Sequence, residues 1–296
     1  MNLWCEWSDF KVPSGVTLHH PLNFPLETSK LDEIEFYVPT YMSGAAGFSP
    51  IAAMQNLKVL QLPNAGYDDA LGYWRAGMTI CNAAGVHSTS TAELAVGLAI
   101  AAQRNFLDFA KAQGEARWAH QRARSLADSR IAIIGYGDIG REIQARLAPF
   151  EVSITAYSKS GRAGSKSIAE LDADLPLYDI VILIVPLSDE TRGMFDARRL
   201  ALMKTGALLI NVARGPIVDT DALLRELENG RLRAALDVTD PEPLPADHPL
   251  WRTPNVLITP HVGGDTSAFK PRFQALLTDQ LNRYISGQPL RNIVKS

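Results

Sequence analysis

The hydrophobic rhythm of the chain changes partway along. Up to about residue 82, short apolar runs are separated by polar or Pro/Gly segments. The runs Leu3–Trp7, Val16–His19, Glu35–Val38, Lys58–Leu62 and Met78–Asn82 predict strands, and only Pro50–Asn56 between them reads as helix. Then Ser90-Thr91-Ala92-Glu93 spells a capping box. Apolar residues continue at helical spacing from about Ala92 to Gln113.

From Ile131 the pattern alternates strictly. Strand Ile131–Ile134 leads to helix Asp138–Leu147, and strand Val152–Tyr157 to a short helix, Ile168–Leu171, capped by Ser167 with Glu170. Strand Asp179–Val185 leads to helix Arg198–Met203. Strand Ala207–Val212 leads to helix Asp221–Asn229, with Thr220 as its cap and Gly230 past its end. Strands Ala234–Val238 and Val256–Thr259 close the series. Nearly continuous Ile, Val and Leu in strands that alternate with helices predict a parallel sheet covered on both faces. A last helix is expected over Asp265–Ser286, interrupted near Pro271 and with no strand after it. Its return to the first region would make that domain discontinuous, 1–92 with 265–296, around a cofactor domain of 93–264.

Composition narrows the class without naming it. The chain has 296 residues, 46% hydrophobic and 21% charged, with a net charge of −3. So even a balance points to neither nucleic acid nor a membrane surface as partner. Cys5 and Cys81 are far apart and lack metal-ligand spacing, so no metal centre is expected and reduced thiols in a cytoplasm are the simple reading. The opening MNLWCEWSDF has neither the basic flank nor the apolar run of a signal peptide, and no apolar stretch reaches bilayer length.

The strand RIAIIGYGDIG ends in Gly135-Tyr136-Gly137-Asp138-Ile139-Gly140, a G-x-G-x-x-G between a strand and a helix. Gly135 permits the tight turn, Gly137 lets a pyrophosphate approach the backbone, and Gly140 lets helix and strand pack closely. The helix N-terminus offers N–H groups and a positive dipole to phosphates. At the end of the next strand, where a carboxylate would bind the adenosine ribose, stands Ser158, with Lys159, Ser160 and Arg162 after it. This stretch is suited to a 2′-phosphate, hence to NADP(H) as preferred cofactor, with NAD(H) still admitted. The alternative is a solvated basic loop with relaxed cofactor choice.

Three further segments stand at strand ends, where ligands sit in such sheets: INVARGPIVD, ALDVTDPEPLP and ITPHVGG. With NAGYDD, GVHSTSTAELAVGLAIAAQR and VPLSDETRG, and from about Leu60 to the C-terminus, the chain resembles the D-isomer-specific 2-hydroxyacid dehydrogenases, a family that includes glyoxylate/hydroxypyruvate reductases. The resemblance implies a two-domain α/β fold. A Rossmann-type doubly wound parallel sheet is joined there to a smaller flavodoxin-like substrate domain, and closure of the cleft excludes water. It implies His261 as general acid/base, Glu242 as its carboxylate partner, raising the imidazole pKa, and Arg214 as the clamp on the substrate carboxylate. Backbone N–H groups at Ala65 and Gly66 would hold that carboxylate from the other domain. Besides the glycine turn with Asp138 and Ile139, cofactor contacts would come from Val185, Pro186, Val212, Ala213, Asp237, His261 and Gly263. Asp237 would orient the nicotinamide carboxamide.

The implied reaction is NADPH-dependent reduction of a small 2-keto acid to the D-2-hydroxy acid. A homodimer is implied through the cofactor domains, with the Ala-rich helix after Glu93 at the interface, although such a helix serves equally as core. The competing function is a nucleotide-sensing, co-repressor-like interaction protein on the same scaffold. Retention of Arg214, Glu242 and His261 together argues against it. A formate dehydrogenase is the other rival, and it needs no proton donor to a carbonyl. His87 stands where the family usually carries Asn. A hydrogen-bonded structural role is expected for it.

Overall fold

The computed structural model describes residues 1–27, 30–162 and 164–296. The chain folds as two compact units, Met1–His87 with Ser267–Ser296, and Ser88–Thr266. The division falls at 87/88 and 266/267, a few residues from the expected 92/93 and 264/265.

The first unit is built on strands β1 (Asn2–Trp4), β2 (Thr17–His19), β3 (Phe36–Tyr37), β4 (Val59–Gln61) and β5 (Thr79–Cys81). They pair in parallel in the order β2-β1-β3-β4-β5, the flavodoxin-like order. Four of the five lie inside the segments expected as strands, and β1 begins one residue before its expected start at Leu3. The helix expected at Pro50–Asn56 is instead a short α-turn, Ala45–Phe48, running into a 3₁₀ turn, Ser49–Ala53.

Two expectations for the C-terminus fail. The last helix begins at Phe269 and runs unbroken to Ile285. Pro271 sits in its first turn, where a backbone N–H has no helical partner to lose. A further strand, Ile293–Lys295 (β13 in chain order), does come after it and pairs antiparallel with β5. Gln280, fully buried on that helix, fixes this arrangement. Its amide donates to Gln61 Oε1 (2.8 Å) and the Arg291 carbonyl (3.0 Å), and its oxygen accepts the Arg291 N–H (2.8 Å). A lone polar residue on an apolar helix face gives no such set of partners away in sequence.

The second unit carries β6 (Arg130–Ile134), β7 (Ser153–Ser158), β8 (Lys166–Ser167), β9 (Ile180–Leu183), β10 (Leu208–Asn211), β11 (Arg233–Leu236) and β12 (Val256–Ile258). All seven pair in parallel, in the order β8-β7-β6-β9-β10-β11-β12. This is the doubly wound order whose direction reverses at β6, and ligands bind at the carboxyl ends of strands beside such a reversal. Ile131, Ile133, Ile182 and Ile210 face one apolar layer and Ile134, Val181, Leu183 and Leu209 the other.

The Ala-rich helix spans Ser88–Gln103, and left-handed Asn105 separates it from a second helix, Phe106–Gly114. Its Ala92, Ala95 and Ala99 are buried against Ile131, Ile133 and Ile210, so this face is core. Ser90 does not cap it, since the helix starts two residues earlier. The Ser90 hydroxyl instead shares a 2.8 Å hydrogen bond with that of Thr266. Likewise Asp219, not Thr220, caps helix Thr220–Glu228, accepting from the Ala222 N–H at 2.9 Å. The Ser167/Glu170 capping box is present as expected. Among the described residues no helix is long and apolar enough to cross a membrane.

Candidate active site

Each candidate residue of the second unit stands at or just past the carboxyl end of a strand. After β6 the chain turns through Gly135 into helix Asp138–Leu147. Gly135 has φ +108°, and a Cβ there would overlap the Ile184 carbonyl. A Cβ on Gly140 would overlap the Gly135 carbonyl. These two glycines are therefore required by the fold itself. At Gly137 a Cβ would meet nothing within 4 Å. The protein leaves space over that backbone, at the mouth of a helix whose first-turn N–H groups lack intrahelical acceptors. Such a cradle fits a pyrophosphate. Asp138 opens the helix and pairs with Arg141 at 2.5 Å, while Ile139 packs on the core.

The loop after β7 uses its polar groups on itself. The Ser158 hydroxyl shares a 2.7 Å hydrogen bond with that of Ser165 and accepts the Gly161 N–H at 3.1 Å. Lys159 is exposed and pairs with Glu190 at 2.6 Å. Ser160 and Arg162 face solvent, and the Arg162 carbonyl accepts from the Ser165 hydroxyl. Lys166–Ser167, the edge strand β8, closes the loop against β7. Sequence reading found the basic residues but missed Glu190, 31 positions on, which competes for the Lys159 cation.

Val185 and Pro186 come after β9, and Val212 and Ala213 after β10, the latter pair almost fully buried. Asn211 shapes this turn: its side chain accepts the Ala213 N–H (3.1 Å) and donates to the Arg214 carbonyl (2.9 Å). Arg214 is extended, at φ −147°, and its guanidinium donates to the Ala213 carbonyl at 2.9 Å. Next comes Gly215, where a Cβ would run into the Thr239 carbonyl. The turn that presents Arg214 thus demands glycine behind it.

Asp237, past β11, is only 3% exposed. Its Oδ1 accepts the Thr259 hydroxyl (2.6 Å) and the Val262 N–H (2.9 Å), and its Oδ2 accepts the Gly263 N–H (2.9 Å). Its carbonyl accepts the His261 N–H at 2.7 Å. Together these bonds hold His261 in a left-handed conformation, φ +53°. The loop after β11 places Glu242 against His261. Glu242 Oε1 lies 2.5 Å from Nδ1, and Oε2 accepts the Thr239 N–H at 3.4 Å. Burial by itself would raise the Glu242 carboxyl. The His261 hydrogen bond and charge, the Thr239 N–H and the Arg214 charge outweigh it and hold the group below its ordinary value. Glu242 is thus a carboxylate at neutral pH, so Nδ1 is the donor and Nε2 is left to exchange a proton. Thr239 and Thr259 were invisible as site residues in the sequence, since a threonine near a motif carries no signal of its own.

In the first unit, Ala65 and Gly66 lie on the turn after β4. Its carbonyls are tied back: Asn64 to the Ala83 N–H (2.8 Å) and Ala65 to the Asn82 amide (2.7 Å). In a trans peptide the next N–H points the opposite way. Among the described residues neither the Ala65 nor the Gly66 N–H has a hydrogen-bond partner. The turn presents two donors suited to an anion. Among the described residues no cluster of His, Cys, Asp and Glu could hold a metal ion.

The chain is similar to proteins already known. The family profile of the D-isomer specific 2-hydroxyacid dehydrogenase, NAD binding domain, matches residues 96–263. A glyoxylate reductase from Thermofilum pendens is 34% identical over 251 residues, 80% of this chain and 74% of that protein. A mitochondrial formate dehydrogenase from Solanum tuberosum is 33% identical over 261 residues, 82% of this chain and 68% of that protein. Among solved structures, a D-isomer specific 2-hydroxyacid dehydrogenase from Xanthobacter autotrophicus Py2, in complex with NADPH and MES, superposes with a TM-score of 0.79. It is 26% identical and covers 99% of this chain and 97% of that one.

The Glu242 pairing sets a pH signature. A carboxyl held low in the fold stabilises it above the unfolded value, and that contribution is lost as pH falls through the folded value. Glu242→Gln should therefore be less stable than wild type at pH 7 in urea unfolding. The gap should close as pH drops below the ordinary carboxylate range. A gap constant with pH would show that the carboxylate charge contributes nothing.

Proposed function

Since the chain belongs to the D-isomer-specific 2-hydroxyacid dehydrogenases, and is an NAD(P)-dependent enzyme acting on small 2-hydroxy or 2-keto acids, we propose that it reduces a glyoxylate- or hydroxypyruvate-like 2-keto acid to the D-2-hydroxy acid with NADPH. The observation that carries this reading is the His261–Glu242 pair, 2.5 Å apart with Nε2 left over. Reduction of a carbonyl needs a proton for the forming alkoxide, whereas oxidation of formate does not. This sets the proposed activity apart from that of the formate dehydrogenase relative.

The chain's residues divide the work between them. The glycine turn and the helix from Asp138 hold the pyrophosphate. The reduced nicotinamide, when bound, supplies the hydride. Asp237 has three of about four lone-pair sites engaged, which leaves room for one carboxamide N–H. Val185, Pro186, Val212, Ala213 and Gly263 border the same strand ends. Arg214 grips the substrate carboxylate and polarises the carbonyl, work suited to a planar cation. His261 Nε2 gives its proton to the carbonyl oxygen, and Glu242 stabilises the imidazolium before transfer. In the first unit the Ala65 and Gly66 N–H groups take a carboxylate.

NADPH preference is proposed from the loop after β7. It lacks an acid at Ser158, where a carboxylate would repel a 2′-phosphate, and its Lys159, Ser160 and Arg162 lie at the surface. We also propose a homodimer through the second unit. With the Ala-rich helix used as core, support comes from the next segment, where Phe106, Leu107 and Trp118 are 53%, 39% and 95% exposed.

Three measurements test these readings. His261→Ala should lower kcat by about 10²–10⁴-fold, the usual worth of a general acid, with NADPH affinity nearly intact. Undiminished turnover would sink the assignment. Ser158→Asp combined with Arg162→Ala should shift the NADPH/NADH ratio of kcat/KM toward NADH by about tenfold or more, the scale of a charged hydrogen bond. No shift would make the loop a solvated turn. Light scattering should give twice the chain mass, and Trp118→Glu with Phe106→Glu should halve it. A monomeric wild type refutes the dimer.

A further inference from the structure

His87 has a more specific task than filling the core. It is 6% exposed, and its Nε2 lies 2.7 Å from the carbonyl of Pro63. A carbonyl oxygen only accepts, so Nε2 carries the proton. The imidazole plane is fixed by two rings. It stacks on Tyr41 (centroids 5.6 Å apart, 12° between planes) and on Phe269 (5.2 Å, 16°). Those two stack on each other at 4.1 Å. An imidazole locked in this way aims its N–H in one direction.

Pro63 opens the turn that carries Ala65 and Gly66, so the direction of that N–H matters. Three consecutive carbonyls, those of Pro63, Asn64 and Ala65, are bound by one segment, through His87, the Ala83 N–H and the Asn82 amide. With trans peptides throughout the turn, the N–H groups of Asn64, Ala65 and Gly66 all point away from that segment. Loss of the His87 bond frees the plane that carries the Asn64 N–H, and the next two planes, which carry the Ala65 and Gly66 N–H groups, then keep their ties to Ala83 and Asn82 but lose the anchor at the head of the turn. We propose that His87 is a positioning residue for substrate. By holding the Pro63 carbonyl it fixes the Pro63–Asn64 peptide plane at the head of the turn, and through that anchor supports the following Ala65 and Gly66 N–H groups in their orientation toward the carboxylate of the 2-keto acid. This rests on the proposed assignment of that turn to the substrate carboxylate.

Two substitutions separate this task from packing. His87→Phe keeps a flat ring in the stack and deletes the donor. His87→Gln deletes the ring and keeps a side-chain N–H of similar reach. In His87→Phe the KM for the best-reduced 2-keto acid should rise about tenfold, the scale of one positioning hydrogen bond. The kcat and the NADPH dissociation constant should stay within about twofold, and His87→Gln should recover most of the KM. A residue that only packs gives the reverse order, with His87→Gln the worse variant. Amide hydrogen exchange of the Ala83 N–H, which donates to the Asn64 carbonyl of the turn, read without substrate, should accelerate in His87→Phe. Unchanged exchange there overturns the proposal, whatever the enzyme's substrate. Faster exchange with an unmoved KM upholds the brace and overturns the assignment of the turn to a substrate carboxylate.

Discussion

A single buried carboxylate organises the catalytic end of the second unit. The Asp237 carboxylate accepts from the Thr259 hydroxyl and from the Val262 and Gly263 backbone N–H groups, and its carbonyl takes the His261 N–H. A buried carboxylate is costly unless its lone pairs are used, so the loop from Thr259 to Gly263 must wrap around it. Wrapping forces the left-handed bend at His261, and a Cβ at Gly263 would already press on Oδ2 at 3.0 Å. The position of the imidazole thus depends on satisfying an acid at the end of the neighbouring strand. The role foreseen for Asp237 lay with the cofactor. Its contacts within the protein give it a second one, as the anchor of His261.

A related economy recurs at two turns that offer positive potential. At the glycine turn and at Ala65–Gly66 the donors are backbone N–H groups, and in the second case they are fixed by tying the carbonyls on the other side of the peptide plane. Backbone donors carry no side-chain entropy and need little reorganisation, which suits them to recognising a charge of fixed geometry. The side-chain cations are held in different ways. Arg214 is held by a turn that Gly215 makes possible, whereas Lys159 is shared with Glu190 on the surface. An exposed pair of this kind contributes little and yields readily to a stronger anion.

Much of this architecture was written in the pattern of residues. Period-two alternation and apolar runs located the strands, because each must bury the same faces whatever its neighbours are. The glycine turn was legible because its spacing falls between a strand and a helix, whereas Arg214, Glu242 and His261 were singled out by the family resemblance and not by their own spacing. Connectivity also constrains strand order in both units, since parallel strands need crossovers of one hand.

The tertiary structure decided everything that depends on partners distant in sequence. Gln280 pairs with Gln61, Ser90 with Thr266, Lys159 with Glu190 and His87 with Pro63. None of these pairings has a periodicity or spacing to announce it. Capping signals at Ser90 and Thr220 misled for the same reason. The helices begin at Ser88 and at Thr220 itself, so both hydroxyls lie inside a first turn and bond instead to Thr266 and to the Asp240 carbonyl. Sequence determined which elements form and which chemistry they carry. Only the three-dimensional chain decided which polar group each of those residues satisfies, because hydrogen bonds are short and directional while the sequence records no distance.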